Sequence, residues 1–143
     1  MSKSQIAQRN SLRGRILAID VGEARVGLAI SDELQIIASP LGFVSREDSF
    51  QEIDSIIKKE GISVILVGMP LLASGEMGSQ TKDIQKFAKE LKQTTDLNID
   101  FENEILSSVE AENRLKEMKK PYQKGDIDAM AACIILETYL RGV

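Results

Sequence analysis

Histidine is missing altogether from the 143 residues, and cysteine occurs once. Without histidine the chain cannot build a Ser-His-Asp or Cys-His nucleophilic centre or a His-liganded zinc site. One cysteine can supply neither a thiolate zinc site nor an intramolecular disulfide. The groups left for chemistry are carboxylate, Lys, Ser, Thr and Tyr. Carboxylates are oxygen ligands for hard cations such as Mg²⁺ or Mn²⁺, so any catalysis here points to metal-assisted chemistry. The single thiol, Cys133, sits in the apolar segment AMAACIIL with no basic neighbour, which predicts a buried and inert side chain. Long apolar runs are absent too: none approaches the roughly 20 residues of a membrane span. The N-terminus lacks the apolar core of a signal peptide, so a cytoplasmic location without membrane contact is expected. Aromatic residues are few, at 4%.

What is present is ordinary for a globular protein, with 28% charged and 43% hydrophobic residues. A chain of this length is read as a single domain that buries about two thirds of its unfolded surface. The net charge of −4 argues against a general polyanion binder, but it is unevenly spread. Lys3, Arg9, Arg13 and Arg15 stand without an acid in the first 15 residues, and Arg114, Lys116, Lys119, Lys120 and Lys124 face only Glu117 in the stretch 114–124. Such patches suit phosphate-backbone contacts, although a Lys-rich run is as readily a solvated helix face. Residues 1–14 are polar and unpatterned and are expected to form a flexible basic tail, with 15–143 as the domain.

That domain is organised around RILAIDVGEARVGLAIS, Arg15 to Ser31. The apolar run Ile16–Ile19 reads as a buried strand ending on a carboxylate, Asp20. Gly22 turns the chain, and Val26–Ile30 forms a second β-rich run, so the unit reads as a hairpin. Gly27, inside that second run, predicts close backbone approach. Ile36–Val44 is a third extended run in which Pro40 marks an edge strand or a bulge. Ser45 and Asp48 resemble a capping box for a helix carrying Phe50, Ile53, Ile56 and Ile57, which Gly61 stops. Ser63–Val67 (SVILV) is a strand covered on both faces, ended by Gly68 and Pro70. Met69–Ser79 is a loop with two glycines, but no Gly-Lys-Ser/Thr follows to make it a nucleotide phosphate loop. Ile84, Phe87, Ala88 and Leu91 mark a second helix, and Leu97–Phe101 a fifth strand. Ser107 and Glu110 suggest a capped helix with Ala111, Leu115 and Met118 on one face. A final apolar helix spans Ile127–Leu140, with Asp128 in its first turn. This order predicts an α/β fold, a five-stranded mixed sheet flanked by helices.

Three carboxylates stand out by position. Asp20 ends a strand, Glu104 lies between a strand's carboxyl end and a helix start, where open α/β sheets bind ligands, and Asp128 opens a helix that could lie across both. Each also has a structural explanation: a turn residue, a solvated loop acid, and an acid at the positive end of a helix dipole.

The segments ILAIDVGEARVGLAIS (Ile16–Ser31), VILVGMP (Val64–Pro70), NEILSSVEA (Asn103–Ala111) and DAMAACIILETYL (Asp128–Leu140) resemble, in order and spacing, the motifs of the YqgF family. These are bacterial nucleases of pre-16S rRNA, also described as Holliday junction resolvases, with a ribonuclease H-like fold. The resemblance covers everything from about Arg15 onward. It implies that the family's acidic triad falls on Asp20, Glu104 and Asp128, serving as catalytic residues and as ligands to Mg²⁺ or Mn²⁺. One block departs from the pattern: at Asn103–Ser108 the family's flanking Asp and Arg are absent, which removes a phosphate contact or an ion-pair partner of the acids.

The activity so implied is metal-dependent hydrolysis of phosphodiester bonds in RNA, in 5′-end processing of pre-16S rRNA, with ribosomal precursor particles as partners. Arg25, Lys120 and Lys124 are candidate contacts to the nucleic-acid backbone. Two alternatives stay open: resolution of four-way DNA junctions, and a weakly catalytic RNA-binding assembly factor. A junction enzyme cuts two symmetry-related strands and so should act as a homodimer, whereas a trimming enzyme need not, so that monomer and homodimer both stay open. An actin-like phosphotransferase also begins with Asp-x-Gly on a hairpin, but 143 residues are too few for its two domains.

Overall fold

The computed structural model describes residues 14–70, 78–104 and 107–142. The expected basic tail, apart from Gly14, lies outside the described residues, as do positions 71–77 of the Met69–Ser79 loop and Ile105 and Leu106 of the NEILSSVEA block.

Five strands form one mixed sheet in the order β3-β2-β1-β4-β5. They are β1 (Arg15–Val21), β2 (Arg25–Ser31), β3 (Ala38–Ser45), β4 (Ile62–Met69) and β5 (Asn98–Asn103). The hairpin pairs β1 with β2 antiparallel, with Asp20 opposite Gly27 and Val21 opposite Val26. β4 joins β1 in parallel and β5 joins β4 in parallel, so the two connections beyond β3 both pass through helices. Pro40 lies on β3, at the sheet edge, beside a register shift at Leu28/Ala29, so the sequence's two suggestions for Pro40 both hold.

Period-2 alternation gives β1 two apolar faces, which is why it reads as a continuous run. Leu17, Ile19 and Val21 pack with Val26, Leu28, Ile65 and Val67 against α1 (Ser49–Glu60) and α2 (Ser79–Lys92), which contribute Ile53, Ile84, Phe87 and Leu91. Ile53 is fully buried there, worth roughly 2 kcal/mol relative to an exposed side chain. Stacking of Phe50 on Phe87, 4.8 Å between centroids, ties the two helices together. Ile16, Ala18, Ala29, Val64 and Leu66 face the other way, onto Ala132, Cys133, Ile135, Leu136 and Tyr139 of α4 (Lys124–Leu140). Outside α4 lies α3 (Ser107–Glu117), whose Ala111 packs on Ala131 and Ile134. Covered by the sheet on one side and α3 on the other, α4 is apolar nearly all round. Among the described residues no helix is long and apolar enough to cross a membrane.

Several boundaries differ from those read in the sequence. Ser45 and Asp48 do hydrogen-bond each other, but in the turn before α1, which starts only at Ser49. Ser107 is already inside α3, and Met118 lies past its end and is exposed, so the face drawn through Ala111, Leu115 and Met118 is not continuous. α4 begins at Lys124, three residues earlier than its apolar pattern, because Asp126 accepts the N–H of Gln123 at 2.9 Å. Asp128 therefore lies in the second turn, beyond the reach of the helix-dipole explanation. β4 continues through Gly68 to Met69, so Gly68 is an interior strand residue and not a terminator.

Gly61 caps α1 with φ 65°, and its N–H reaches the Ile57 carbonyl. Gly61→Ala is expected to cost about 1 kcal/mol, the price of placing a Cβ in the left-handed region, and urea unfolding would measure it. No drop in stability would mean that the chain leaves the helix here by another route.

Candidate active site

The three acids come to the same end of the sheet, Asp20 hydrogen-bonded to Glu104 and within electrostatic reach of Asp128. Asp20 occupies the α4-facing side of β1 at the sheet's carboxyl end, in phase with Ile16 and Ala18. Its cross-strand partner on β2 is Gly27. One residue beyond the Ile19–Val67 pairing, its neighbour on β4 is Gly68. A carboxylate on a central strand thus has a glycine on either hand, and each glycine admits another acid.

On the β2 side, a Cβ at Gly27 would lie 2.0 Å from the Asp128 carbonyl oxygen. The missing side chain lets α4 rest its backbone directly on β2, delivering Asp128 to the pocket. This is the close approach that the sequence predicts for Gly27. On the β4 side, β5 is separated from β1 by a whole strand, so Glu104, just after β5, has to reach across β4. It does so at Gly68, where a Cβ would come within 2.7 Å of Glu104 Oε2. The Glu104 N–H is anchored on the Met69 carbonyl at 3.3 Å.

The electrostatics follow from this crowding. Burial, then the charge of Asp20 and a hydrogen bond with it, push the Glu104 carboxyl up to about 9. Asp20 is also raised, by burial first and by the charge of Asp128; its hydrogen bond with Glu104 acts in the opposite direction. Glu104 is therefore the proton donor and Asp20 the acceptor. Glu104 Oε2 is buried and has no hydrogen-bond partner among the described residues, a place that suits a cation. Asp128 is neutralised differently: Arg25 Nε donates to its Oδ2 at 2.7 Å. Among the described residues no group of three Asp, Glu or Cys side chains is placed, as it stands, to hold a metal ion. The donor set fits a hard divalent cation nonetheless. It is all oxygen, it is held on strand ends and a helix, and in the protein alone it depends on a proton and a guanidinium to offset mutual repulsion.

The other candidates are dispersed. Lys124 is the exposed first residue of α4, one turn before Asp128. Lys120 is exposed in the loop before α4, beside a cavity of about 330 Å³ that Leu41, Met118 and Tyr122 help to line. Cys133 is buried, and burial raises its thiol to about 11, in line with an inert residue.

Two features at this end of the sheet are not legible in the sequence. One is Gly68 as a passage for Glu104, since a glycine near the end of an apolar run also reads as a stop. The other is Arg46, which grips both carboxylate oxygens of Asp83 at 2.9 Å, donates to the Gly22 carbonyl at 2.9 Å and lies over the Phe87 ring. It clamps the hairpin turn to α2, on the sheet face away from the acids. A cavity of about 770 Å³ opens beside that clamp, lined by Val21, Glu23 and Ser79 as well as Arg46 and Asp83.

Comparison with known proteins places this architecture. A protein of Crocosphaera subtropica named "Putative pre-16S rRNA nuclease" is 38% identical over 129 residues, covering 87% of this chain and 90% of its own. One of the same name from Maridesulfovibrio salexigens is 41% identical over 131 residues, covering 88% and 97%. Among solved structures, Thermus thermophilus RuvC in complex with a Holliday junction substrate superposes with a TM-score of 0.58 at 11% identity, covering 90% of this chain and 94% of that one. The yeast mitochondrial Holliday junction resolvase Ydc2 superposes with a TM-score of 0.54 at 10% identity, covering 99% and 85%. At such identities these two establish the ribonuclease H-like fold alone. The sequence profile of the RuvX family, described as Holliday junction resolvase, matches residues 14–142, and with this coverage the chain belongs to that family, the one its YqgF-like motifs resemble.

Proposed function

We propose that the protein is a divalent-metal-dependent endonuclease that hydrolyses phosphodiester bonds in RNA, acting at the 5′ end of pre-16S rRNA. What supports the proposal is that Asp20 hydrogen-bonds Glu104 and feels the charge of Asp128, beside two side-chain-free positions, Gly27 and Gly68. The names of the relatives supply the substrate. Asp20, Glu104 and Asp128 would hold Mg²⁺ or Mn²⁺. Bound there, such an ion would supply activation of water and relief of charge on the departing oxygen. The protein's own contribution is to fix the three carboxylates on rigid elements, to give up the proton held by Glu104, and to steer the backbone with cations. Arg25, Lys120 and Lys124 are the proposed phosphate contacts. The partners in this reading are precursor rRNA and the ribosomal particles that carry it, in the cytoplasm, with the enzyme a monomer or a homodimer.

A second reading, resolution of four-way DNA, is favoured by the description of the matching family. One assay separates the readings: a precursor-rRNA 5′ segment and a four-way DNA junction, each incubated with the protein in Mg²⁺ and in EDTA. The expected result is Mg²⁺-dependent cleavage of the RNA. Symmetrical nicking of the junction with intact RNA would reverse the order of the two readings. Binding without cleavage of either would leave the protein an RNA-binding assembly factor.

A further inference from the structure

Arg25 is the cation that touches the acids, through Asp128. Its backbone is fixed, since its carbonyl accepts the Gly22 N–H at 2.9 Å in the hairpin turn, and β2 pairs on both sides. Its side chain is not fixed in the same way. It contacts Asp128 through Nε alone, although a guanidinium carries five N–H donors, and the side chain is 36% exposed against 22% for Asp128. Arg46, at the same end of the sheet, is in contrast committed bidentately to Asp83 and to a carbonyl.

Magnitudes decide how firmly Arg25 is held. A solvent-reached ion pair of this kind contributes about 0–1 kcal/mol. A dication has twice the charge and a greater call on a carboxylate already next to Asp20. Contact between Arg25 and Asp128 is therefore easily exchanged, and a displaced guanidinium, anchored at Cα, stays at the mouth of the pocket with its donors free.

We propose that Arg25 couples metal loading to substrate binding. In the protein alone it is the counter-ion of Asp128, and once a divalent cation takes that carboxylate the side chain turns to a phosphate of the bound strand. This inference rests on the metal-dependent reading above and adds to it a positioning residue and a cooperativity. Metal and RNA should each tighten the binding of the other, because each competes with, or uses, the same guanidinium.

The test uses the full chain, Arg25→Gln and Arg25→Lys. Mn²⁺ alone is titrated by calorimetry. Separately, a labelled single-stranded RNA is titrated by fluorescence anisotropy in EDTA and in Ca²⁺ at equal ionic strength, with the strand verified intact afterwards. For the native protein the RNA Kd should tighten about tenfold between EDTA and Ca²⁺. R25Q, each Kd compared with its own value in EDTA, should respond to Ca²⁺ less than about twofold, and should bind Mn²⁺ as tightly as native or up to about tenfold more tightly. R25K should recover part of the response, which also controls for folding. Weaker Mn²⁺ binding by R25Q would make Arg25 a fixed brace for Asp128 and overturn the proposal, as would an RNA response equal to native. Failure of the native protein to bind Mn²⁺ would instead remove the metal-dependent reading itself, and this coupling with it.

Discussion

Asp20→Asn is expected to lower Mg²⁺-dependent RNA cleavage by on the order of 10³-fold or more, while RNA binding in EDTA stays within about twofold of native. Asparagine keeps the shape of the side chain and its place between Gly27 and Gly68, so the sheet has no reason to rearrange. What it removes is charge. A metal centre supplies several kcal/mol of stabilisation to charge developing in the transition state, and each 1.36 kcal/mol is a factor of ten in rate. The central acid is the one whose loss should be felt most, because it alone touches Glu104 and senses Asp128. The variant should also unfold no more easily than native without metal, since a source of repulsion has gone. Single-turnover cleavage with anisotropy binding measures both effects. Undiminished cleavage by D20N would sink the assignment, and parallel loss of cleavage and RNA binding would mean that the substitution had damaged the fold.

The second large effect concerns Glu104, whose raised carboxyl ties stability to pH. In the unfolded chain Glu104 ionises near 4.5, whereas in the native protein it holds its proton until about 9. Between those values the native state binds more protons than the unfolded one, so stability falls as pH rises. Its contribution is complete below the unfolded value and is lost as pH climbs through the folded one. Metal-free protein should therefore unfold progressively more easily from pH 5 to pH 9. Glu104→Gln cannot ionise; it should flatten that part of the profile and be the more stable form at pH 8. Mg²⁺ reverses the comparison. Loading the native site should displace the Glu104 proton and stabilise the fold, while E104Q should gain little from Mg²⁺ and should cleave RNA no faster than D20N. Thermal melts across pH with and without Mg²⁺ provide the readout, and calorimetry in buffers of different ionisation enthalpy counts the proton released. Superimposable pH profiles for native and variant would exclude the shared proton.

These two residues illustrate how legible the chain is from its sequence. Asp20 can be read directly, since a carboxylate that closes a continuous apolar run must sit at the end of a core strand. Gly27 can be read as well, because an interior strand glycine gives up packing and so marks close approach, here by the α4 backbone. Glu104 is legible in place but not in state. Its raised carboxyl comes first from burial and then from Asp20, which lies across β4 from it, and neither can be read from the residues around position 104. Arg25 is harder still: a sequence-local reading treats it as a surface cation, yet it meets an acid 103 positions away.

The division has a physical basis. Periodicity, strand runs, glycine positions and a histidine-free composition are local or additive properties, and from them come the five strands and four helices found among the described residues, the burial of the single thiol and the expectation of oxygen-ligand chemistry. Which charge faces which is a property of strand order and helix placement. Only the folded sheet, with β4 between β1 and β5 and α4 lying on Gly27, decided that Glu104 crosses at Gly68, that Asp128 is held by Arg25, and that Arg46 serves the turn and not the acids.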